Sequence, residues 1–496
     1  MSSRATASPT AGLPRLAVRG ALYAAASQYF LFGVGLVKTI ILARVVPPEF
    51  FGLVALATVW TSYLTVFRLD LRTVIVSEKD LKPVTLSVQF TLDNALMLVG
   101  FGLAAALQAA LPRLGAPGLW IAIYVLLGTR LAETMSSTPQ YLLEKQVRQD
   151  ALARLAALGA VLGFGLAVAL AWRGWYLAAL LGDVAAPVAV MAVGAWLTAG
   201  WRPRWRWDTQ VAREIIGVGY TLWTTSLLGK IVFELDDWLV GSVTRIRPQE
   251  FLSSGLRAEG FYSRAYNTAK MPMDVFAGMI GRIALPLYAK GEAQGREVLV
   301  ATYRRTTWLL ARLIFLSSTV AFVATEEITL LLLGRTWLPM APLFRLMFVF
   351  VVGRPFFQNA SQLLLAARRE KEMRRTVVVQ AIIMLLAAPP AVSSFGAAGA
   401  SVVVSLMMVV GLIASERYVV RLLRVSVWHT YAVPAVTALA LILIFWALGP
   451  ALRLNVIVAL AVKCAACLAA FAAVMLLAER REAQAVLTTI RENLRS

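Results

Sequence analysis

Long apolar runs alternate with short polar breaks along almost the whole chain. A helix needs about 20 mainly apolar residues to cross a bilayer. Runs of that kind, bounded by charged or Pro/Gly-rich breaks, predict about fourteen transmembrane helices. Their centres fall near residues 32, 60, 98, 128, 162, 187, 225, 272, 313, 350, 382, 408, 438 and 466. The second run ends in FRLDLR, and the eighth, YSRAYNTAKMPMDVFAGMIGR, is polar for a helix facing lipid. Almost no length remains for a large extramembrane domain. The basic, Ser/Thr-rich start, MSSRATASPTAGLPRLAVRG, leads into an apolar segment longer than a signal-peptide core and without a small-residue cleavage site. It reads as a retained first helix.

The pattern also repeats. YLLEKQVRQDALARLAAL from Tyr141 is echoed by QLLLAARREKEMRRTVVV from Gln362, and WRGWYLAALLGDV by SFGAAGASVVVSL, aligned on Gly174 and Gly396. ILARVVPPEFFGLVALA finds a looser echo that aligns Gly52 with Gly260. Partners start from the same side of the membrane, which is the mark of parallel repeats about an axis along the membrane normal, with a central cleft between lobes. The expected architecture is an all-α polytopic membrane protein of about 14 transmembrane helices, with two pseudo-symmetric six-helix lobes plus two C-terminal helices. The lobes are residues 1–200 and 201–425, the two additional helices lie within 426–480, and 481–496 form a cytoplasmic tail.

Composition supports that reading. Of 496 residues, 59% are hydrophobic and only 15% charged, too little polar surface for a soluble globule. The net charge of +21 would point to nucleic acid in a soluble chain. In a polytopic chain it records cytoplasmic loops rich in Lys and Arg. With the N-terminus inside, the cytoplasmic segments hold about 30 Lys/Arg and the opposite loops about 8, which places both termini in the cytoplasm and requires an even number of spans. WRPRWRWD, Trp201 to Asp208, is then an interfacial anchor and not a nucleic-acid patch. Cys464 and Cys467 share one apolar run and lack the spacing of a metal site. His429, the only histidine, lies by a cytoplasmic loop, so a histidine relay through the membrane is excluded. No GxxxxGK[ST] motif occurs, and GVGLVKT from Gly33 sits within a span.

Ionisable residues nonetheless fall inside the spans: Lys38, Asp93, Arg130, Glu133, Lys230, Glu234, Asp236, Asp237, Arg264, Lys270, Asp274, Arg282, Arg312, Arg345 and Arg354. Each costs about 2.5–3.5 kcal/mol at mid-membrane even on the lenient insertion scale, so together they must line a protein interior or a wet cleft. At 100° per residue, Lys230, Glu234 and Asp237 lie within about 60° of one another on one helix face, and Asp236 points about 100° away. The cluster forms either a buried Lys–carboxylate pair or an acid that binds H+ or Na+ in one state only. Glu133 belongs with this ion-pair or ion-coupling group.

DDWLVG followed by EGFYSRAYNTAKMP resembles the second-half signature of polysaccharide flippases in the multidrug/oligosaccharidyl-lipid/polysaccharide (MOP) exporter superfamily, and ILARVVPPEFFGLVALATVW resembles their first-half opening. The resemblance covers almost the whole chain, with GFYSRAY its most specific part and RIRPQEFLSSGLRAE a longer loop than the family pattern. It implies two six-helix lobes, alternating access, and movement of an undecaprenyl-pyrophosphate-linked oligosaccharide from the inner to the outer leaflet of the bacterial inner membrane, for exopolysaccharide, capsule or O-antigen synthesis. A polysaccharide polymerase and chain-length machinery are the implied partners, with membrane lipids and no nucleic acid. No cofactor is implied beyond a coupling ion. Asp236, Gly241, Gly260 and Tyr262 match the family motif.

A diphosphate leaves water only for cationic, preferably forked, partners. Lys38, Arg130, Arg264, Lys270 and Arg354, away from the expected helix ends, are the headgroup candidates. Gln28, Tyr29, Tyr220, Trp223, Tyr262, Tyr266, Asn267, Gln358 and Asn359 are available to contact sugar. Two other classes compete. A membrane glycosyltransferase or polymerase needs a large outer loop with positioned acids, and the longest outer loop, Arg245 to Glu259, offers only Glu250 and Glu259. A drug or cation exporter of the same superfamily would present acidic rather than basic spans.

Overall fold

A computed structural model describes residues 13–66, 83–110, 118–146, 148–202, 207–243, 253–425, 428–448 and 455–480, and within them not the side chains of 13–26, 218–222, 224–226, 243, 253–254, 271–283, 285–286 and 428. Every regular element among the described residues is helical. The chain divides into two compact units, Met1–Lys230 and Ile231–Ser496.

The first unit holds α1 (Leu13–Val45), α2 (Pro48–Leu64), α3 (Pro83–Ala110), α4 (Leu119–Lys145), α5 (Gln149–Trp172), α6 (Tyr176–Ala199) and the first part of α7 (Thr209–Val243). Local chemistry sets several ends. Pro48 opens α2, where its missing N–H is no loss. Asp208 Oδ1 accepts from the backbone N–H groups of Gln210 and Val211 at 3.0 and 3.1 Å, capping α7. The α5–α6 hairpin turns at Gly174, whose φ of +80° favours glycine. Its two helices approach closely: a Cβ on Gly163 would sit 2.8 Å from the Pro187 ring, so small residues set the spacing. Leu42, Val46, Ala167, Ala171 and Leu180 form a core that joins α1, α5 and α6.

The second unit continues from Ile231 through α8 (Ser253–Gln294), α9 (Arg296–Val323), α10 (Thr325–Leu332), a short 3-10 helix (Arg335–Met340), α11 (Ala341–Leu346), α12 (Phe348–Ala366), α13 (Glu370–Leu423), α14 (Trp428–Leu448) and α15 (Val456–Ala478). The 54 residues of α13 are two helices meeting at Gly396, where φ is +58° and ψ −138°. Gly174 and Gly396, aligned by the sequence repeat, thus both take left-handed backbone at the junction of two long helices. The basic segments before them behave alike too. Arg148 precedes α5 with φ −84° and ψ 53°, and Arg369 precedes α13 with φ −99° and ψ 45°.

The last two helices share the core of the second unit: Tyr431, Cys467 and Phe471 pack with Tyr303, Phe315 and Phe356. Two ion pairs fasten α15. Lys463 Nζ donates to Glu327 Oε1 at 2.6 Å and to the Val323 carbonyl at 2.8 Å. Glu479, just past the helix, receives both Nε and Nη2 of Arg312 on α9, the first at 2.8 Å.

Each of the fourteen expected centres lies in a helix, with 382 and 408 on the two limbs of α13. Among the described residues, however, eight helices are long and apolar enough to cross a membrane, nine if the pair Arg335–Leu346 and Phe348–Ala366, bent by 54°, counts as one span. The charges explain much of the difference. Arg130 and Glu133 interrupt α4, Lys230 to Asp237 interrupt α7, and α8 carries Arg257, Glu259, Arg264 and Lys270. At 17 residues, α2 sits at the short limit for a span. Hydroxyls in buried stretches turn back on their own helix, as Thr61 does to the Ala57 carbonyl at 2.8 Å and Thr134 to the Arg130 carbonyl at 2.9 Å. They bring no polar group to lipid.

Candidate functional site

The charged stretch of α7 separates at the boundary between the units. Lys230 donates to the hydroxyl of Ser62 on α2 at 2.7 Å and to the Ser62 carbonyl. The lysine stem is long enough to carry its ammonium to these two oxygens of α2. In the second unit, Glu234 Oε2 is buried without a hydrogen-bond partner.

In the second unit the acids gather. Asp236 is 1% exposed and its Oδ2 accepts from the Tyr262 hydroxyl of α8 at 2.6 Å. Glu259 is fully buried one helical turn before Tyr262, with neither carboxylate oxygen hydrogen-bonded. Its electrostatic neighbours are Asp237 and Asp236. Glu259 was expected in an outer loop; α8 instead begins at Ser253 and carries it into the interior. Gly241 and Gly260 are buried beside these acids in sequence. Among the described residues, no three Asp, Glu, Cys or His are arranged to hold a metal ion.

Cations adjoin this cluster. Arg354 of α12 donates from Nη1 to the Tyr266 hydroxyl at 3.0 Å and lies over the Phe233 ring at 4.8 Å and the Phe350 ring at 5.6 Å. Lys270 stands 5.7 Å from the Tyr266 ring centroid and within electrostatic reach of Asp237. Arg264 lies over Trp337 at 5.5 Å. Neither Arg354 nor Lys270 joins an ion pair among the described residues. A cation on an aromatic face keeps N–H donors for a further ligand.

The first unit's candidates are paired. Lys38 meets Asp183 of α6 at 2.9 Å, and Arg130 meets Glu133 at 2.8 Å. Near the second pair lies a cavity of about 410 Å³ between α1, α4, α5 and α6, lined by Glu133, Ser137, Gln140 and Tyr141 on α4 and by apolar residues opposite.

Of the expected sugar contacts, Tyr266 is buried against Phe350, with ring centroids 5.3 Å apart. Asn267 is exposed and donates to Ser263 Oγ at 3.4 Å. Gln358 is half-buried, and Gln28 and Tyr29 are exposed on α1. Trp223 packs on the Val88–Leu92–Ile215 cluster of the first unit. The side chains of Tyr220, Asp274 and Arg282 lie outside the described residues. Asn359 is a correction. It is fully buried, accepts from the Tyr288 hydroxyl at 2.7 Å and donates to Thr307 Oγ1 at 3.1 Å, so its amide holds helices together and lines no accessible wall.

Sequence reasoning missed Glu416. It is fully buried, and its Oε1 accepts from Tyr303 at 3.0 Å and from Tyr431 at 2.7 Å, joining α9, α13 and α14. The available signal was a glutamate at the end of a long apolar run, SLMMVVGLIASE, which reads equally as a helix terminus.

The fold and the charged helices inside it define a multi-pass, all-α membrane protein. Residues 41–342 match the family model described as "Polysaccharide biosynthesis protein", more than half of the chain, and the chain belongs to that family. Its fold is that of MOP-superfamily proteins. The structure titled "Lipid II flippase MurJ, inward closed conformation" superposes with a TM-score of 0.72 at 10% identity, over 93% of this chain and 100% of that one. An inward-facing multidrug resistance MATE family transporter of the MOP superfamily superposes with a TM-score of 0.50 at 14% identity, over 79% of this chain and 94% of that one. None of the curated protein sequences compared matches this chain.

Proposed function

We propose that this chain is a flippase, not an enzyme, and that it carries an undecaprenyl-pyrophosphate-linked oligosaccharide from the cytoplasmic to the periplasmic leaflet of a bacterial inner membrane by alternating access. The observation that carries the reading is the pair Arg354 and Lys270. Both lie on helices of the second unit against aromatic rings, and among the described residues neither has an ion-paired carboxylate. Intramembrane cations so placed are costly unless used, and a diphosphate is the ligand that a guanidinium fork and an ammonium suit. Membership of a polysaccharide biosynthesis family and a fold shared with a lipid-linked flippase support the class of cargo. Both termini are cytoplasmic on the Lys/Arg distribution.

Deletion of the gene, followed by analysis of lipid-linked intermediates, tests this. A flippase defect traps whole repeat units facing the cytoplasm, whereas a polymerase defect leaves single units exported. Trapped intermediates with Arg354→Ala and Lys270→Ala, at normal membrane levels, are expected; full surface polysaccharide with both substitutions would overturn the cationic reading.

The acids of the second unit support coupling to an ion. Both carboxylate oxygens of Glu259 are buried without a hydrogen-bond donor, a setting that a proton satisfies directly, so H+ is the proposed coupling ion. Transport in vesicles that follows a pH gradient and ignores a sodium gradient is the expected result, and the reverse dependence would reassign the ion.

A further inference from the structure

The 410 Å³ cavity of the first unit lies within the roughly 300–1,000 Å³ range of small-molecule pockets. Its polar wall is one stripe of α4, since Glu133, Ser137, Gln140 and Tyr141 recur at helical spacing along one face. The opposite wall is apolar, formed by Leu31 of α1, Ala160 of α5 and Pro187 of α6. Pro187, in the cavity wall, interrupts the hydrogen bonding of α6 and leaves a carbonyl one turn back without its usual donor. Gln140 is oriented from behind, because its Nε2 donates to Ser136 Oγ at 2.9 Å.

This lining selects against three ligands. A pyrophosphate would meet one charged wall residue, Glu133, and that is a carboxylate. An organic cation would find Glu133 already balanced by Arg130 at 2.8 Å. A lipid tail would bury a carboxylate, an amide and two hydroxyls against hydrocarbon. What remains is a neutral ligand whose groups both donate and accept. Vicinal sugar hydroxyls do so: they donate to Glu133, exchange hydrogen bonds with Ser137 and Gln140, and leave a ring face for Tyr141. We infer that this cavity is a saccharide subsite, which takes a neutral sugar residue of the cargo while the pyrophosphate binds elsewhere. The inference rests on the flippase reading above for the source of the sugar.

The test is thiol protection in proteoliposomes of the full chain, with Cys464→Ala and Cys467→Ala to remove the native thiols and Ser137→Cys to report on the cavity. A polar methanethiosulfonate reagent is the label. The probes are undecaprenyl pyrophosphate carrying one glucose or one N-acetylglucosamine, undecaprenyl pyrophosphate alone, and tetraphenylphosphonium. The expected result is labelling slowed several-fold by at least one glycosylated lipid and unchanged by the other two probes, with protection lost in Gln140→Ala. Equal protection by bare undecaprenyl pyrophosphate, protection by tetraphenylphosphonium, or no protection by any probe overturns the proposal. If Ser137→Cys does not reach the membrane, Ala160→Cys on the facing helix gives the same readout. The two readings fail separately. Normal export in the deletion strain with saccharide protection intact removes the flippase and leaves the subsite; trapped intermediates without protection do the opposite.

Discussion

Replacing Arg312 by leucine removes the guanidinium that holds Glu479 and leaves a carboxylate 8% exposed with no counter-charge. Arg312 is itself 7% exposed, stacks on Trp308 at 4.5 Å, and donates from Nη1 to the carbonyls of Trp308 at 3.1 Å and Thr430 at 3.0 Å. One side chain therefore ties α9 to the start of α14 and to the end of α15. Breaking a buried pair by removing one partner costs about 3–5 kcal/mol. At about 1.4 kcal/mol per decade, the open form with α15 undocked should rise roughly 10²- to 4 × 10³-fold. Cys467 reports the opening, because it is fully buried in the contact of α15 with the rest of the unit. In a Cys464→Ala background, maleimide labelling of Cys467 should accelerate by that factor in Arg312→Leu and in Glu479→Leu. The double substitution should return most of the way, since an apolar pair of similar volume is often neutral. Single variants within about twofold of the parent would refute the reasoning, because the pair would then behave as a surface contact worth about 0.5 kcal/mol. A double variant as fast as the singles would show that shape, not charge, holds the helix.

Three further outcomes follow from the packing. Gly163→Leu should weaken the α5–α6 hairpin by about 1–3 kcal/mol, the cost of overpacking, because a Cβ there meets the Pro187 ring at 2.8 Å; Gly165→Leu, with no atom within 4 Å of its added Cβ, is the matched control, and folded yield after detergent extraction compares them. Gly396→Ala, forced to φ +58° and ψ −138°, should lose about 1–3 kcal/mol in thermal unfolding, although no atom lies within 4 Å of the added Cβ. Tyr262→Phe deprives Asp236 Oδ2 of its donor and should cost about 1–3 kcal/mol in the same assay, while Asp236→Asn, which keeps an acceptor for Tyr262, should cost less.

The sequence by itself determined where the helices lie. Apolar length and charged breaks are local properties, and the fourteen centres read from them all fall in helices. It also aligned Gly174 with Gly396, and both take a positive φ that favours glycine, a local backbone demand that a sequence comparison can register. The anomalous charges were visible for the same reason, as each is costly wherever an apolar helix carries it. Partners were not visible, since a buried charge is settled by whichever helix packs beside it, and that helix can be far away in sequence. Helical spacing offered Lys230 only neighbours on its own helix; packing brought it Ser62, 168 residues earlier. Arg312 found Glu479 across 167 residues, and Lys38 found Asp183. Glu259 looked like a loop acid until α8 carried it into the interior beside Asp236 and Asp237. The sequence named the residues whose charges must be satisfied; only the tertiary structure decided which were neutralised by a partner and which, like Arg354 and Lys270, were left against aromatic rings with donors to spare.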